Sequence, residues 1–211
     1  MPDIAASKRR KSHLFWKLDG TVPILGIPAV KRDGFLYEEI MSTIEQYQPG
    51  LNEAGAYFDL RQQVFAYELA EAGVIDDRIQ SLMRYRTQEG YEQGMREVIN
   101  DPSRQFIGMR DEQGLIAYMI TCDTWPDDPD GQYLESIGVH QRARRQGYAT
   151  QLVSQFTAGE KATYLHVIEA NLPAKELYEG LGFMVIGKDK PWDIWGQKVS
   201  VEIMKREGET T

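Results

Sequence analysis

Residues 144–156, RRQGYATQLVSQF, set two arginines, a glycine and two small residues directly ahead of an apolar rhythm. Leu152, Val153 and Phe156 stand at helical spacing, which predicts a helix that begins near Gly147. A helix start carries backbone N–H groups without partners and the positive end of the macrodipole, so its natural guest is a phosphate. Gly147 lets a bulky anion approach the backbone with no Cβ in the way, and Ala149 is nearly as permissive. Arg142, Arg144 and Arg145 add charge at the same entrance. The chemistry offered is capture of a diphosphate, read mainly by backbone amides. The plainer alternative is a solvated basic helix start with a glycine for tight packing. Two other phosphate loops are missing: no lysine completes G-x-x-x-x-G-K-[ST], and no G-x-G-x-x-G occurs.

The elements that must hold this cradle follow from the hydrophobic period. QYLESIGV (132–139) reads as a strand leading into the basic turn and TYLHVI (163–168) as the strand after the helix. A βαβ crossover of this kind should make its two strands parallel. RQFIGMRDEQGLIAYMITCD (104–123) reads as two strands joined at Asp111–Gly114, and GFMVIGK (182–188) and KVSVEIM (198–204) supply two more. Upstream, one helical rhythm runs through Leu36, Ile40, Ile44 and Tyr47 and stops at Pro49-Gly50. A second covers AYFDLRQQVFAYELA (56–70), with Tyr57, Leu60, Val64 and Tyr67 facing one way. A third covers residues 76–100 with Asp76 as its cap. HLFWKLDGTVPILGI (13–27) is compatible with a hairpin about Asp19-Gly20, and residues 1–12 read as a polar tail. The sum is an α/β chain, a mixed sheet with helices on its faces.

At 211 residues, with 42% hydrophobic and 27% charged side chains, the chain suits one soluble domain. A net charge of -8 argues against a general nucleic-acid or anionic-membrane binder, so a local basic cluster needs a local reason. Cys122 is the single cysteine; it has no disulfide partner within the chain, no metal-ligand spacing around it, and reads as a small core residue. The N-terminal residues carry no sustained apolar stretch and no run reaches membrane-span length, which makes the cytoplasm the expected compartment.

YLESIGVHQRARRQGYATQLV resembles the acetyl-CoA motif of the GNAT family of N-acetyltransferases, [QR]-x-x-G-x-[GA], with Arg144, Gly147 and Ala149 at its fixed positions. Downstream, N-x-x-A-x-x-L-Y-x-x-L-G-F is filled by Asn171, Ala174, Leu177, Tyr178, Leu181, Gly182 and Phe183. The two halves, in order and correctly spaced, cover residues 104–190. The resemblance implies a centrally splayed sheet of six to seven strands flanked by helices, with an acetyl-CoA motif over 134–158 and a second motif over 163–187 inside a domain spanning 35–208. Residues 1–34 would then be a tail or extension. It implies that backbone groups of Ile137, Gly138 and Val139 pair with the pantetheine arm and that Arg144, Arg145, Gln146, Gly147, Tyr148, Ala149 and Thr150 wrap the pyrophosphate. Arg142 or Arg145 is left for the adenosine 3′-phosphate.

The same resemblance gives two further residues a double reading. Asn171 is an N-cap for Ala174 by its position and a hydrogen-bond partner of the coenzyme arm by analogy. Tyr178 lies in an apolar stripe with Ala174, Leu177 and Leu181, and by analogy its hydroxyl faces the coenzyme sulfur as general acid. An alkylammonium acceptor has no lone pair, so a base is wanted. Glu135 is the first candidate and His166 the second; a solvated strand carboxylate and a satisfied core histidine are their plain readings. His140 reads as solvated. CDTWPDDPDGQ, with Asp123, Asp127, Asp128, Asp130 and Trp125, and KPWDIWGQ, with Trp192 and Trp195, offer acid and aromatic walls for an amine, or simply a polar turn and packing.

The expected function is therefore transfer of an acetyl group from acetyl-CoA to a primary amine by direct attack, with no metal, nucleic acid or membrane. Dimers are frequent in such folds, so a homodimer belongs to the expectation. The rival expectation is an acyl-CoA-binding module of the same fold without turnover.

Overall fold

The computed structural model describes residues 45–73, 88–194 and 197–209. The hairpin expected at 13–27, most of the rhythm at 36–47, residues 76–87 and Trp195 lie outside the described residues. Within them run β1 (Glu45–Tyr47), α1 (Ala54–Glu71), α2 (Gln88–Asn100), β2 (Arg104–Asp111), β3 (Gly114–Cys122) and β4 (Gln132–Val139). Then follow α3 (Tyr148–Phe156), β5 (Thr163–Ile168), α4 (Leu172–Gly180), β6 (Met184–Lys188), β7 (Trp192–Ile194), β8 (Gln197–Val199) and β9 (Val201–Arg206).

Seven strands form one sheet in the order β1-β2-β3-β4-β5-β9-β6, and β7 and β8 pair separately. β4 and β5 are parallel, as the crossover through α3 requires, and every other described pairing is antiparallel. β3 is buried along nearly its whole length, which is why GLIAYMITC is an unbroken apolar run rather than an alternating one. On one face α1 and α2 bring Tyr57, Leu60, Val64, Met95 and Val98 against Phe106, Tyr118 and Ile120. On the other, Tyr148, Leu152, Val153 and Tyr178 pack on Met119, Leu134, Leu165 and Met204.

The parallel ladder is short. Gln132–Leu134 pair with Thr163–Leu165, and pairing then stops. Beyond that point β4 stays bonded to β3 as far as Val139, and β5 to β9 as far as Ile168. The two strands therefore part company at the centre of the sheet, the splay the resemblance implies. A β-bulge sits at the parting: Ile120 opposes Ser136 and Thr121 opposes Leu134, so Glu135 is the extra residue. Strict alternation would put Leu134 and Ser136 together on the face opposite Glu135. Instead Leu134 joins the core under α3 and α4, while Ser136 bonds Arg61 of α1 and so shares the other face with Glu135.

Three element boundaries differ from the sequence reading. Tyr47 ends a strand on the edge of β2, not a helix. KVSVEIM is two strands broken at Ser200: Val199 packs with Ile194 and Leu69 beside the small hairpin, while Val201 enters the main sheet. GFMVIGK begins as strand only at Met184, because Gly182 and Phe183 close α4. The Gly182 N–H donates to the Glu179 carbonyl at 3.0 Å and the Phe183 N–H to the Tyr178 carbonyl at 3.0 Å, with Gly182 at φ 85.

Gly138 is where α1 meets β4. A Cβ there would lie 2.5 Å from Tyr118 Cε1 and 2.8 Å from Val64 Cγ2. Tyr118 cannot swing aside freely, since its hydroxyl accepts from Arg61 Nη1 at 3.0 Å. Gly138→Ala is expected to cost about 1–3 kcal/mol by overpacking, read from the midpoint of urea unfolding. Gly94→Ala, in α2 with nothing within 4 Å of the added carbon, should stabilise by about 0.5–1 kcal/mol in the same assay.

Candidate active site

The anion cradle is built from left-handed backbone. Gly147, the N-cap of α3, has φ 88, and Arg145 has φ 63, alone among the described non-glycine residues in being positive. Alternation of such residues gathers successive amides into a concavity that suits an anion. A Cβ on Gly147 would meet nothing within 4 Å, so the glycine is there for its φ and the space in front of it is open. Gln146, Gly147 and Thr150 are exposed and Ala149 is half-buried.

Two of the three arginines are occupied elsewhere. Arg142 grips Asp111 of the β2–β3 turn through both terminal nitrogens, Nη2 to Oδ1 at 3.0 Å. Arg144 donates from Nε to the Val139 carbonyl at 3.2 Å and stacks its guanidinium 4.4 Å from the Tyr67 ring. Tyr67 is accordingly an exposed platform at the end of α1 rather than part of its core stripe. Arg145 is exposed, with no ion pair among the described residues. Gln146 braces the loop, donating to the Arg142 carbonyl at 3.0 Å and accepting from the Tyr148 hydroxyl at 3.3 Å. His140 is half-buried, not solvated; its Nδ1 accepts from the Arg142 N–H at 3.2 Å, and burial, then Arg142 and Arg144, hold it below the ordinary histidine range.

At the splay, Ile137 and Val139 turn their side chains into the core under α3, which leaves their backbone facing the gap between strands. Asn171 is buried and caps α4, its Oδ1 accepting from the Ala174 N–H at 3.3 Å. Tyr178 is 6% exposed beneath the splay, its ring 5.7 Å from Phe183. Burial first, then the charge of Glu68, pushes its hydroxyl well above the usual tyrosine range.

Glu68 is the residue the sequence reading passed over. It stands half-buried on α1 one turn beyond Val64, and burial pushes its carboxyl up to about 7 while Arg61 pulls it back. Arg61 donates from Nη1 to Ser136 Oγ at 2.7 Å as well as to Tyr118, and the nearby Tyr118 hydroxyl raises its affinity for its proton. The signal was present: Arg61 and Glu68 fall on the same stripe as Tyr57, Leu60 and Val64, where a purely structural helix would carry apolar residues.

Glu135 does not stand free. Its Oε2 lies 2.9 Å from Arg104 Nε, so that oxygen is engaged by a cation. His166, 15% exposed, is bonded at both nitrogens: Nδ1 lies 3.0 Å from the Tyr133 hydroxyl and Nε2 3.1 Å from Asp189 Oδ2. Of the acidic loop, Trp125 is buried and stacks on Tyr164 at 5.1 Å and 5°, while Asp128 Oδ2 accepts from the Tyr164 hydroxyl at 2.8 Å. Asp123, Asp127 and Asp130 remain exposed. Trp192 is 39% exposed with its ring centre 6.0 Å from that of His166. Cys122 is half-buried rather than in the core, with Sγ 3.8 Å from Ser103 Oγ. Among the described residues no three histidine, cysteine or acidic side chains are grouped as a metal would need, and no helix is long and apolar enough to cross a membrane.

One fold thus carries a parted pair of parallel strands, a helix entrance of left-handed backbone at the open end and a buried tyrosine on α4. The sequence model of the acetyltransferase (GNAT) family matches residues 73–183, just over half of the chain, and the chain belongs to that family. It is thus an acetyl-CoA-dependent N-acetyltransferase. A search of curated proteins returns no match. Among solved structures, an acetyltransferase from Thermus thermophilus aligns at 16% identity and TM-score 0.58, over 77% of this chain and 97% of its own. The spermidine N-acetyltransferase of Vibrio cholerae, solved with CoA and spermine, aligns at 18% identity and TM-score 0.58, over 79% and 96%. The ribosomal-protein-S18-alanine N-acetyltransferase of Escherichia coli aligns at 16% identity and TM-score 0.57, over 80% and 96%. These likenesses are of fold.

A carboxyl that holds its proton more tightly in the folded state than in the unfolded one lowers stability once the unfolded chain ionises. For Glu68 the loss sets in as pH rises through the ordinary 4.5 and is complete above about 7. Glu68→Gln should therefore match the parent near about pH 4 and exceed it at about pH 8, measured by urea unfolding at both values.

Proposed function

We propose that the protein moves the acetyl group of acetyl-CoA directly onto a primary amine of a small molecule or peptide seated at the mouth of the splay. The observation that carries this reading is the splay itself, which frees a row of strand amides and carbonyls and ends in the cradle at Gly147. An extended arm with two amides can lie along Ile137, Gly138 and Val139 as an added strand would. The diphosphate then falls on the amides of Arg145 to Thr150, with Arg145 free for the 3′-phosphate, since Arg142 is held by Asp111.

In this reading the arm's amide contacts hold the thioester in line with the amine, and effective molarity of this kind is worth about 7–11 kcal/mol. Backbone N–H groups of β4 polarise the thioester carbonyl. The amine adds to the carbonyl carbon, the C–S bond breaks, the thiolate takes a proton from the Tyr178 hydroxyl, which its surroundings keep neutral, and the new amide nitrogen gives its surplus proton back to the tyrosine oxygen. Asn171 holds the mouth of α4 beside the arm. Glu135, bound to Arg104, contributes negative potential at the acceptor's entrance. The cytoplasm and a homodimer belong to the same reading, the latter supported by the β6 edge, where Met184, Val185 and Ile186 are exposed.

The test is thiol release from acetyl-CoA against pooled amines, with calorimetry for coenzyme binding. Tyr178→Phe should lower kcat by about 10²-fold while leaving the Kd for CoA nearly unchanged. Unchanged turnover at saturating substrates would remove the tyrosine from the mechanism. Coenzyme binding with no thiol release from any acceptor would turn the reading to a binding module.

A further inference from the structure

Tyr133, His166 and Asp189 form a line of hydrogen bonds that the steps above leave idle. A carboxylate can only accept, so Asp189 Oδ2 at 3.1 Å requires the proton on His166 Nε2. Nδ1 is then the bare nitrogen and accepts from the Tyr133 hydroxyl at 3.0 Å. The carboxylate is itself fixed, since Asp189 Oδ1 accepts from the Lys190 N–H at 2.7 Å. The imidazole is walled by Trp125 at 5.2 Å and Trp192 at 6.0 Å between ring centres. Tyr133 lies two residues before the bulge, at the closed end of the splay, and its hydroxyl is within electrostatic reach of Tyr178.

We propose that this line, and not Glu135, receives the proton of the acceptor's ammonium, a step that rests on the acetyl-transfer reading above. The R–NH₃⁺ group gives one N–H proton to the Tyr133 oxygen while the phenol's own proton passes to His166 Nδ1. The nitrogen keeps the electron pair and attacks; the imidazolium is stabilised by Asp189 and later loses its proton to water. Tyr133 touches the acceptor and is the catalytic residue; His166 stores the proton; Asp189 positions and stabilises the ring. Burial, then Glu135 and Asp189, push the phenol up to about 12, so Tyr133 relays a proton and never rests as phenolate. Among the described residues, the charged and titratable groups around the imidazole and the phenol are Glu135 of β4, Cys122 of β3, Asp189 between β6 and β7, and Tyr178 of α4. Glu169 and Lys188 bond one another.

The experiment compares the full-length protein with Tyr133→Phe, His166→Gln and Asp189→Asn. The readouts are pH profiles of kcat, calorimetric CoA binding, and two acceptor classes: an alkylamine, protonated at the assay pH, and an O-alkylhydroxylamine, already neutral. With the alkylamine, Tyr133→Phe and His166→Gln should lose about 10²-fold in kcat together with the acid limb of the profile. Asp189→Asn should lose less in kcat, about tenfold, because the ring keeps its accepting nitrogen and loses only the anion that steadies the imidazolium. With the neutral acceptor the deficits of the first two should shrink at least about tenfold, which a merely structural role would not produce. CoA binding within about threefold of the parent certifies the fold in each variant. Equal deficits with both acceptors, or an acid limb that survives His166→Gln, would overturn the relay while leaving acetyl transfer intact. A parent protein that binds CoA and acetylates neither acceptor would overturn the transfer reading and the relay with it.

Discussion

The ladder between β4 and β5 ends at Leu134 and Leu165, and the rest of the site depends on its staying ended. Two parallel strands with apolar faces would ordinarily keep zipping, since each unpaired buried backbone group costs about 1–3 kcal/mol. The bulge at Glu135 re-aims β4, and the strand is then held from the α1 side by Arg61, whose Nη1 reaches Ser136 at 2.7 Å and Tyr118 at 3.0 Å. β5 is anchored the other way by six consecutive pairs with β9. In the proposed reading an arm bearing its own amides restores the lost partners.

The splay also sorts charge along its length. Its open end holds the amides at Gly147 and the exposed Arg145. Its closed end collects Glu135 and Asp189 around Tyr133 and His166. In the proposed reading a diphosphate and an ammonium ion meet opposite fields at the two ends of one slot. Arg142 and Arg144 brace the loop against Asp111, Val139 and Tyr67, and the backbone they brace is what the proposed reading assigns to the anion.

What the sequence made legible is what is local. Gly147 and Gly182 announce left-handed turns, Asn171 a cap, and the strand–turn–helix from Leu134 a cradle, because each depends on neighbours within a few residues. The parallel pairing of β4 and β5 was legible too, because a helix between two strands returns the chain to the end of the sheet where it began. The misses are all non-local. Alternation along β4 fails at Ser136 because the bulge is set by pairing with Ile120 of β3, a separate strand. Glu68 stands on the apolar stripe of α1, but how far its carboxyl is buried depends on what α1 packs against. Glu135 offers a base or a solvated strand carboxylate by sequence, and its partner Arg104 of β2, at 2.9 Å, is set by strand pairing alone.

The break at Ser200 joins fold to chemistry most tightly. By period alone KVSVEIM is one strand, and one strand would carry residues 198–204 past β5 without interruption. Instead the chain leaves the β7–β8 hairpin, turns at Ser200 and enters the sheet, and the turn presents two carbonyls in succession. The Ser200 carbonyl accepts from the Glu169 N–H at 2.9 Å, closing the end of β5, and the Val201 carbonyl accepts from the Asp189 N–H at 3.0 Å. The second bond pins the backbone of the residue whose carboxylate meets His166 Nε2. Asp189 lies in the link between β6 and β7, outside either strand, so this bond is what ties it to the sheet. A change of strand that no alternation pattern encodes is therefore what seats the carboxylate of Asp189 against His166 Nε2.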